Sequence, residues 1–187
     1  MALEKTIDVL GIGNAIIDVL ADADDAFLLQ HNLNKGSMTL VDEVASSNIY
    51  SSMKNKIQMS GGSAANTIYG LAQLGCRSAF IGKRSNDELG NIFYSDLTKS
   101  EIIFNTSPLD TGESSARCLI LVTSDAERTM ATFLGSSSKL KVEDINEDEI
   151  EAAKIIYLEG YLFDPPEAQE AFITAAEFAK KHNTKVS

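Results

Sequence analysis

The stretch that most constrains this chain is Gly61-Gly62-Ser63-Ala64-Ala65-Asn66, which opens a helical run closing at Gly75. It reads GGSAANTIYGLAQLG. A glycine pair lets the backbone turn sharply and lets another group approach closely. Ser63 is a candidate cap for the orphan amides of the helix that follows. Asn66 places an amide in the first turn, beside the positive end of the helix dipole. These parts predict a helix start that receives a hydroxyl-rich or anionic small molecule. An ordinary loop-to-helix cap would carry the same letters.

On either side, short apolar runs alternate with helical periods. Residues 7–13 (IDVLGIG) read as a buried strand ended by glycines, and 14–21 (NAIIDVLA) continue with Asp18 interrupting a β-branched stretch. A short helix is expected over 24–32, a strand over 38–41, and a helix from an Asp42 cap to about residue 53. Residues 77–83 and 102–104 are strand-like, and 87–99 has helical spacing. Residues 116–123 and 128–134 read as a hairpin around a polar turn. A strand over 155–158 is closed by Gly160. Pro165 and Pro166 then start a helix with Ala168, Phe172, Ala175 and Ala179 on one face, and 184–187 open another strand.

Strands alternating with helices predict an α/β fold with a mainly parallel sheet. The hairpin-like pieces at 18–41 and 116–134 predict a small β-rich lid over it, with lid segments near 17–41 and 113–135. A strand opening with nothing beyond it to pair reads as the N-terminal part of one larger domain, 1–187, with the C-terminal half absent.

Charge and composition exclude several functions. Lys plus Arg is 16 against 27 Asp plus Glu, a net charge of −11, so no basic face is available for a nucleic-acid backbone. Cys76 and Cys118 form no C-x-x-C pair, and His31 and His182 lack metal-ligand spacing, so no metal site is expected. No apolar run approaches ~18 residues and no signal-peptide pattern opens the chain, so no membrane partner is expected and a cytoplasmic location is.

Gly11-Ile12-Gly13 after a strand resembles the start of a dinucleotide fingerprint, but Ile16 stands where its third glycine belongs. The turn instead exposes Asn14 and Asp18. Asp18 is either a strand-end carboxylate facing water or an acceptor for two sugar hydroxyl protons. Arg128 is either a solvated turn charge beside Asp125 and Glu127 or a functional cation. Asp110-Thr111-Gly112 reads as a surface turn. Cys118 and Met130, in facing strands, read as core or lid packing.

Together these motifs resemble the ribokinase (PfkB) family of carbohydrate and nucleoside kinases, with its adenosine-kinase-like branch nearest. GIGNAIID at 11–18 is similar to that family's first strand and sugar-binding Asp, and GGSAANTIYGLAQLG to its N-terminal signature, with Gly61, Gly62, Ser63 and Asn66 around the sugar. DAERTMATFLG at 125–135 resembles the lid hairpin whose Arg, here Arg128, reaches the transferring phosphate. LEGYLFDPP at 158–166 is similar to the segment bordering the nucleoside base. By the resemblance, Asn14 also belongs to the sugar site. Met38, Leu40, Cys118 and Met130 would line the apolar side of the pocket, with Tyr161 at its edge.

The family's second signature, D-T-x-G-A-G-D, is absent from this sequence, and with it the catalytic Asp base. Most of the family's ATP site lies in that later half. The resemblance therefore implies a ribokinase-like fold and the substrate-binding half of an ATP-dependent kinase. Its acceptor is a primary hydroxyl of adenosine or another nucleoside, or of a sugar such as fructose or ribose. ATP and Mg²⁺ are the implied cofactors, and a monomer or a lid-mediated homodimer the implied assembly. A non-catalytic nucleoside- or sugar-binding module is the alternative.

Overall fold

The computed structural model describes residues 5–187. β1 (Ile7–Ile12) is central to the first sheet because it is apolar on both faces. Leu10 and Ile12 turn to one layer, while Val9 and Gly11 turn to the other. A strand covered on both sides reads as a continuous apolar run. β5 (Ser78–Ile81) and β8 (Ala153–Leu158) flank it in parallel, and β9 (Lys185–Val186) extends β8, giving the order β5-β1-β8-β9.

α3 (Ser63–Gln73) packs on one face of β1 and β5 through Ala64, Ala65 and Ile68. α5 (Glu147–Ala152) and α6 (Pro166–Lys181) cover the other. α6 buries Ala168, Phe172, Ala175 and Ala179, the face expected from their spacing. Pro166 occupies its first position, where a missing N–H costs nothing, and Lys180 and Lys181 sit at its negative end.

The second sheet runs β3-β7-β6-β2-β4. Its strands are β2 (Ile16–Asp22), β3 (Met38–Leu40), β4 (Ile57–Gly61), β6 (Ala116–Val122) and β7 (Arg128–Phe133). One face is closed: Ile17, Val19, Ala21, Leu119, Leu121 and Ala131 are buried. They join the core with Leu28 of α1 (Asp25–Gln30), Ile49 of α2 (Glu43–Ser52), and Phe93 and Leu97 of α4 (Glu88–Lys99). The other face carries the alternate residues, and Met38, Leu40, Ile57 and Met59 on it are exposed. Asp24, Asp42 and Asp87 cap the starts of α1, α2 and α4, accepting from the N–H groups of Phe27, Ala45 and Gly90 at 2.7, 2.7 and 2.8 Å.

The 116–134 hairpin forms as expected, β6 against β7 antiparallel. The piece at 18–41 is not a hairpin. β2 pairs with β4 and β6, whereas β3 pairs in parallel with β7 at the far edge of the sheet, with α1 between them in sequence. β4 was not expected at all. It is a five-residue edge strand with exposed Ile57 and Met59 and ends in glycine, which blurs its alternation. Residues 102–104 give only an isolated bridge, Ile103 to Ala79, beside β5.

Candidate functional site

β2 places Asp18 near the middle of the open face of the second sheet. The register sets Asp18 opposite Met59 on β4 and Cys118 on β6, Cys118 opposite Thr132 on β7, and Thr132 opposite Leu40 on β3. Paired residues point to the same side of a sheet, so one row reads Met59, Asp18, Cys118, Thr132, Leu40. The next row is Ile57, Leu20, Ile120, Met130, Met38. In these two rows Asp18 is the one carboxylate among mostly apolar side chains; Asp22 lies on the same face in the row of Val122 and Arg128.

No donor among the described residues hydrogen-bonds the Asp18 carboxylate, and burial pushes its pKa above the usual carboxylate range. Beside it, burial raises the Cys118 thiol further from ionisation, and the Thr132 hydroxyl donates to Cys118 Sγ at 3.4 Å. Asp18 is therefore a half-buried acceptor at mid-strand that no protein donor among the described residues meets.

The glycine pair shapes the space around it. A Cβ at Gly61 would lie 2.3 Å from Asp18 Cγ, so the carboxyl leans over this glycine. Gly62 has φ +92° and a Cβ there would stand 2.7 Å from the Asn14 carbonyl oxygen, so both conformation and space demand glycine. Gly62 is the N-cap of α3 and makes no side-chain cap bond. Ser63 does not cap either; it is the first helical residue. The cap comes from Glu159, whose Oε2 accepts from the Ala64 N–H at 2.8 Å. The helix start is therefore met by the protein's own carboxylate, which disfavours an anion there, and the anionic part of the expectation is corrected.

Asn14 is also corrected in its surroundings. It is 3% exposed, and its Nδ2 donates to Glu159 Oε1 at 2.8 Å. The turn after β1 tucks Asn14 inward and leaves Asp18 reachable. Asn66 is exposed and lines a cleft of about 480 Å³ with Met59, Ser60, Tyr69, Asp96 and Lys99. Met59, the register neighbour of Asp18, borders that cleft. Met38 and Met130 are direct register partners, and Leu40 lies in the Asp18 row.

Arg128 shares the open face, but it lies opposite Val122 at the tip of the hairpin, four residues along from Cys118. At ~3.3 Å per residue and ~4.8 Å per strand this is roughly 16 Å from Asp18. Tyr161, in a single 3-10 turn (Gly160–Leu162), is 81% exposed. The sheet register adds Met59, Ile120 and Thr132 to the face, positions the alternation of 116–122 and 128–133 implies once the strands are paired. Glu159 had no signal; it follows an apolar strand like any loop residue.

Among the described residues no group of three or more His, Cys, Asp or Glu is arranged to hold a metal ion. No helix of the described residues is long and apolar enough to cross a membrane.

The fold matches adenosine kinase from Sinorhizobium meliloti with a TM-score of 0.86 and 44% identity, covering 96% of this chain and 55% of that one. It matches a probable sugar kinase from Rhizobium etli CFN 42 with a TM-score of 0.87 and 38% identity, covering 98% and 56%. In sequence it is 31% identical to guanosine-inosine kinase of Escherichia coli K12 over 95% of this chain and 43% of that protein. The chain thus spans about half the length of the relatives it matches. The pfkB family carbohydrate kinase model matches residues 43–187, more than half of the chain, and the chain belongs to that family.

Proposed function

We propose that this chain supplies the acceptor side of an ATP-dependent kinase that phosphorylates a primary hydroxyl of a nucleoside, adenosine in the first instance. The observation that carries the reading is Asp18: a half-buried carboxylate without a donor, set in an apolar face. A ribose supplies two hydroxyl donors to such a group, and a base supplies a flat apolar surface for Met38, Met130 and Ile120. A buried acceptor discriminates strongly against a ligand that lacks the matching hydroxyl. Asn66 contacts the same sugar from the start of α3. The second sheet acts as a lid, and closing it carries Arg128 toward the phosphoryl group, where its charge balances the transfer; such catalysis is mainly positioning and charge stabilisation. ATP donates the phosphoryl group. The similarity to the adenosine, guanosine-inosine and sugar kinases named above supports this class of acceptor.

Titration calorimetry of the full-length protein with adenosine, ribose and fructose tests the reading. Adenosine should bind more tightly than ribose, and 2′-deoxyadenosine should bind at least about tenfold more weakly than adenosine, as the loss of one bond to a charged acceptor implies. Binding of fructose or ribose with no binding of any nucleoside would move the assignment to a sugar kinase. Nucleoside binding without phosphoryl transfer would leave a binding module.

A further inference from the structure

The last turn of α4 carries Asp96, a carboxylate at the negative end of the helix dipole, where a cation such as Lys99 is the type that suits the position. Asp96 therefore works against its own helix, and its use lies outside it. Its Oδ2 accepts from the Ser60 N–H of β4 at 2.9 Å. Ser60 pairs with the buried Ile17, so it belongs to the closed side of the second sheet, where α4 packs through Phe93 and Leu97. At the other end of α4, Asp87 accepts from the Ser115 N–H at 2.7 Å, where the chain enters β6.

These two carboxylates hold the two neighbours of one strand. β2, which carries Asp18, lies between β6 and β4 in the sheet. The two bonds also fall at nearly one level: Ile16 pairs with both Ala116 and Gly61, and Ile17 with Ser60. The helix is thus a splint across three strands, close to where the Asp18 carboxyl leans over Gly61.

We propose that Asp96 is a positioning residue of the acceptor site, holding β4 where Gly61 leaves the Asp18 carboxyl its place. The proposal rests on the acceptor reading above. β4 is an edge strand, with ladder bonds on one side only. Among the described residues, Asp96 is the one side chain that bonds a backbone N–H of this strand. An edge without such a tie opens more readily than the strands inside the sheet. Any shift of β4 carries with it Met59 and Gly61, the residues on that side of Asp18. A misplacement of ~1 Å at such a site costs up to about 100-fold. By the resemblance, most of the ATP site lies outside these residues, so ATP affinity reports on the fold and not on β4.

The test is Asp96→Ala in the full-length protein. Nucleoside Kd by calorimetry should rise about tenfold while ATP affinity stays within about twofold. Hydrogen exchange at the Ser60 amide of the ligand-free protein should accelerate. Asp96→Asn keeps an acceptor oxygen and should recover most of the affinity. In an Asp18→Asn background, Asp96→Ala should cost less than about threefold more, because a residue that acts through Asp18 has little left to act on. A full tenfold cost in that background would mean that Asp96 meets the ligand itself, and would overturn the proposal. Unchanged nucleoside affinity would overturn it too, and if self-association appeared, would leave Asp96 as a guard of the sheet edge. An equal loss of nucleoside and ATP affinity alongside a lower melting temperature would reduce it to a structural bond. If the unaltered protein binds no nucleoside or sugar, the acceptor reading fails first and takes this proposal with it; if only the Asp96→Ala result fails, the acceptor reading stands.

Discussion

Asp18 carries a conflict between stability and function. Its pKa is raised in the folded chain by burial, so between the ordinary carboxylate value and the folded one the native state holds a proton that the unfolded chain has released. The stability this group contributes is present at low pH and is lost as pH rises through the folded pKa. Once ionised, the carboxylate opposes folding wherever no group donates to it. Asp18→Asn should therefore raise the melting temperature of the ligand-free protein at pH 7 and, by calorimetry, weaken nucleoside binding about tenfold or more. The same sign predicts that affinity of the unaltered protein falls as pH drops through the Asp18 pKa, when the acceptor becomes a neutral acid. Asp18, Gly62 and Asn66 were legible as candidates because their residue types are unusual where they stand. Glu159 was not, since its two partners are 145 and 95 residues away.

The starts of the helices and the strand registers decide where these side chains point. Asp87 does two jobs: Oδ1 caps α4 at Gly90, and Oδ2 accepts from the Ser115 N–H at 2.7 Å, tying α4 to the entrance of β6. Asp87→Ala should lower unfolding stability by about 1–2 kcal/mol in urea titrations, the range for lost caps. α2 is held to the second sheet by Arg117, a buried guanidinium on β6 that donates to Ser46 Oγ at 2.7 Å and Ser47 Oγ at 2.9 Å. Burial lowers its pKa, and no carboxylate bonds it directly. Because α2 connects β3 to β4, the two edges of the sheet, Arg117 braces both. Arg117→Met strands the buried Ser46 hydroxyl and should cost about 1–3 kcal/mol, with faster amide exchange along β3 and β4 as the readout. Caps of this kind were readable in advance, Asp42 above all, since a cap is a local pattern. The pairing of β3 with β7, and the existence of β4, were not readable, since edge pairing over such separations leaves no local mark.

At the scale of the whole chain, the two sheets differ: the parallel one is covered on both faces by helices, and the mixed one presents an open, largely apolar face with Asp18 in it. The family's catalytic Asp signature is absent from these residues, and they span 43% of the guanosine-inosine kinase they resemble. The 187-residue chain alone should bind or fail to bind a nucleoside but not phosphorylate it, and measured transfer to adenosine or a sugar above background by the purified chain would refute this. The α/β class, most helix starts, the hairpin at 116–134 and the family are legible in the amino acids alone, because each rests on periodicity or on residues close together in the chain. GGSAAN was legible as a glycine-opened helix start in the same way. The assembled fold alone sets Glu159 against this helix start, buries Asn14, leaves Asp18 without a donor among the described residues, and carries Arg128 far out on the hairpin. Those facts depend on which distant strands become neighbours. Burial and hydrogen-bond partners exist only once the sheets are assembled.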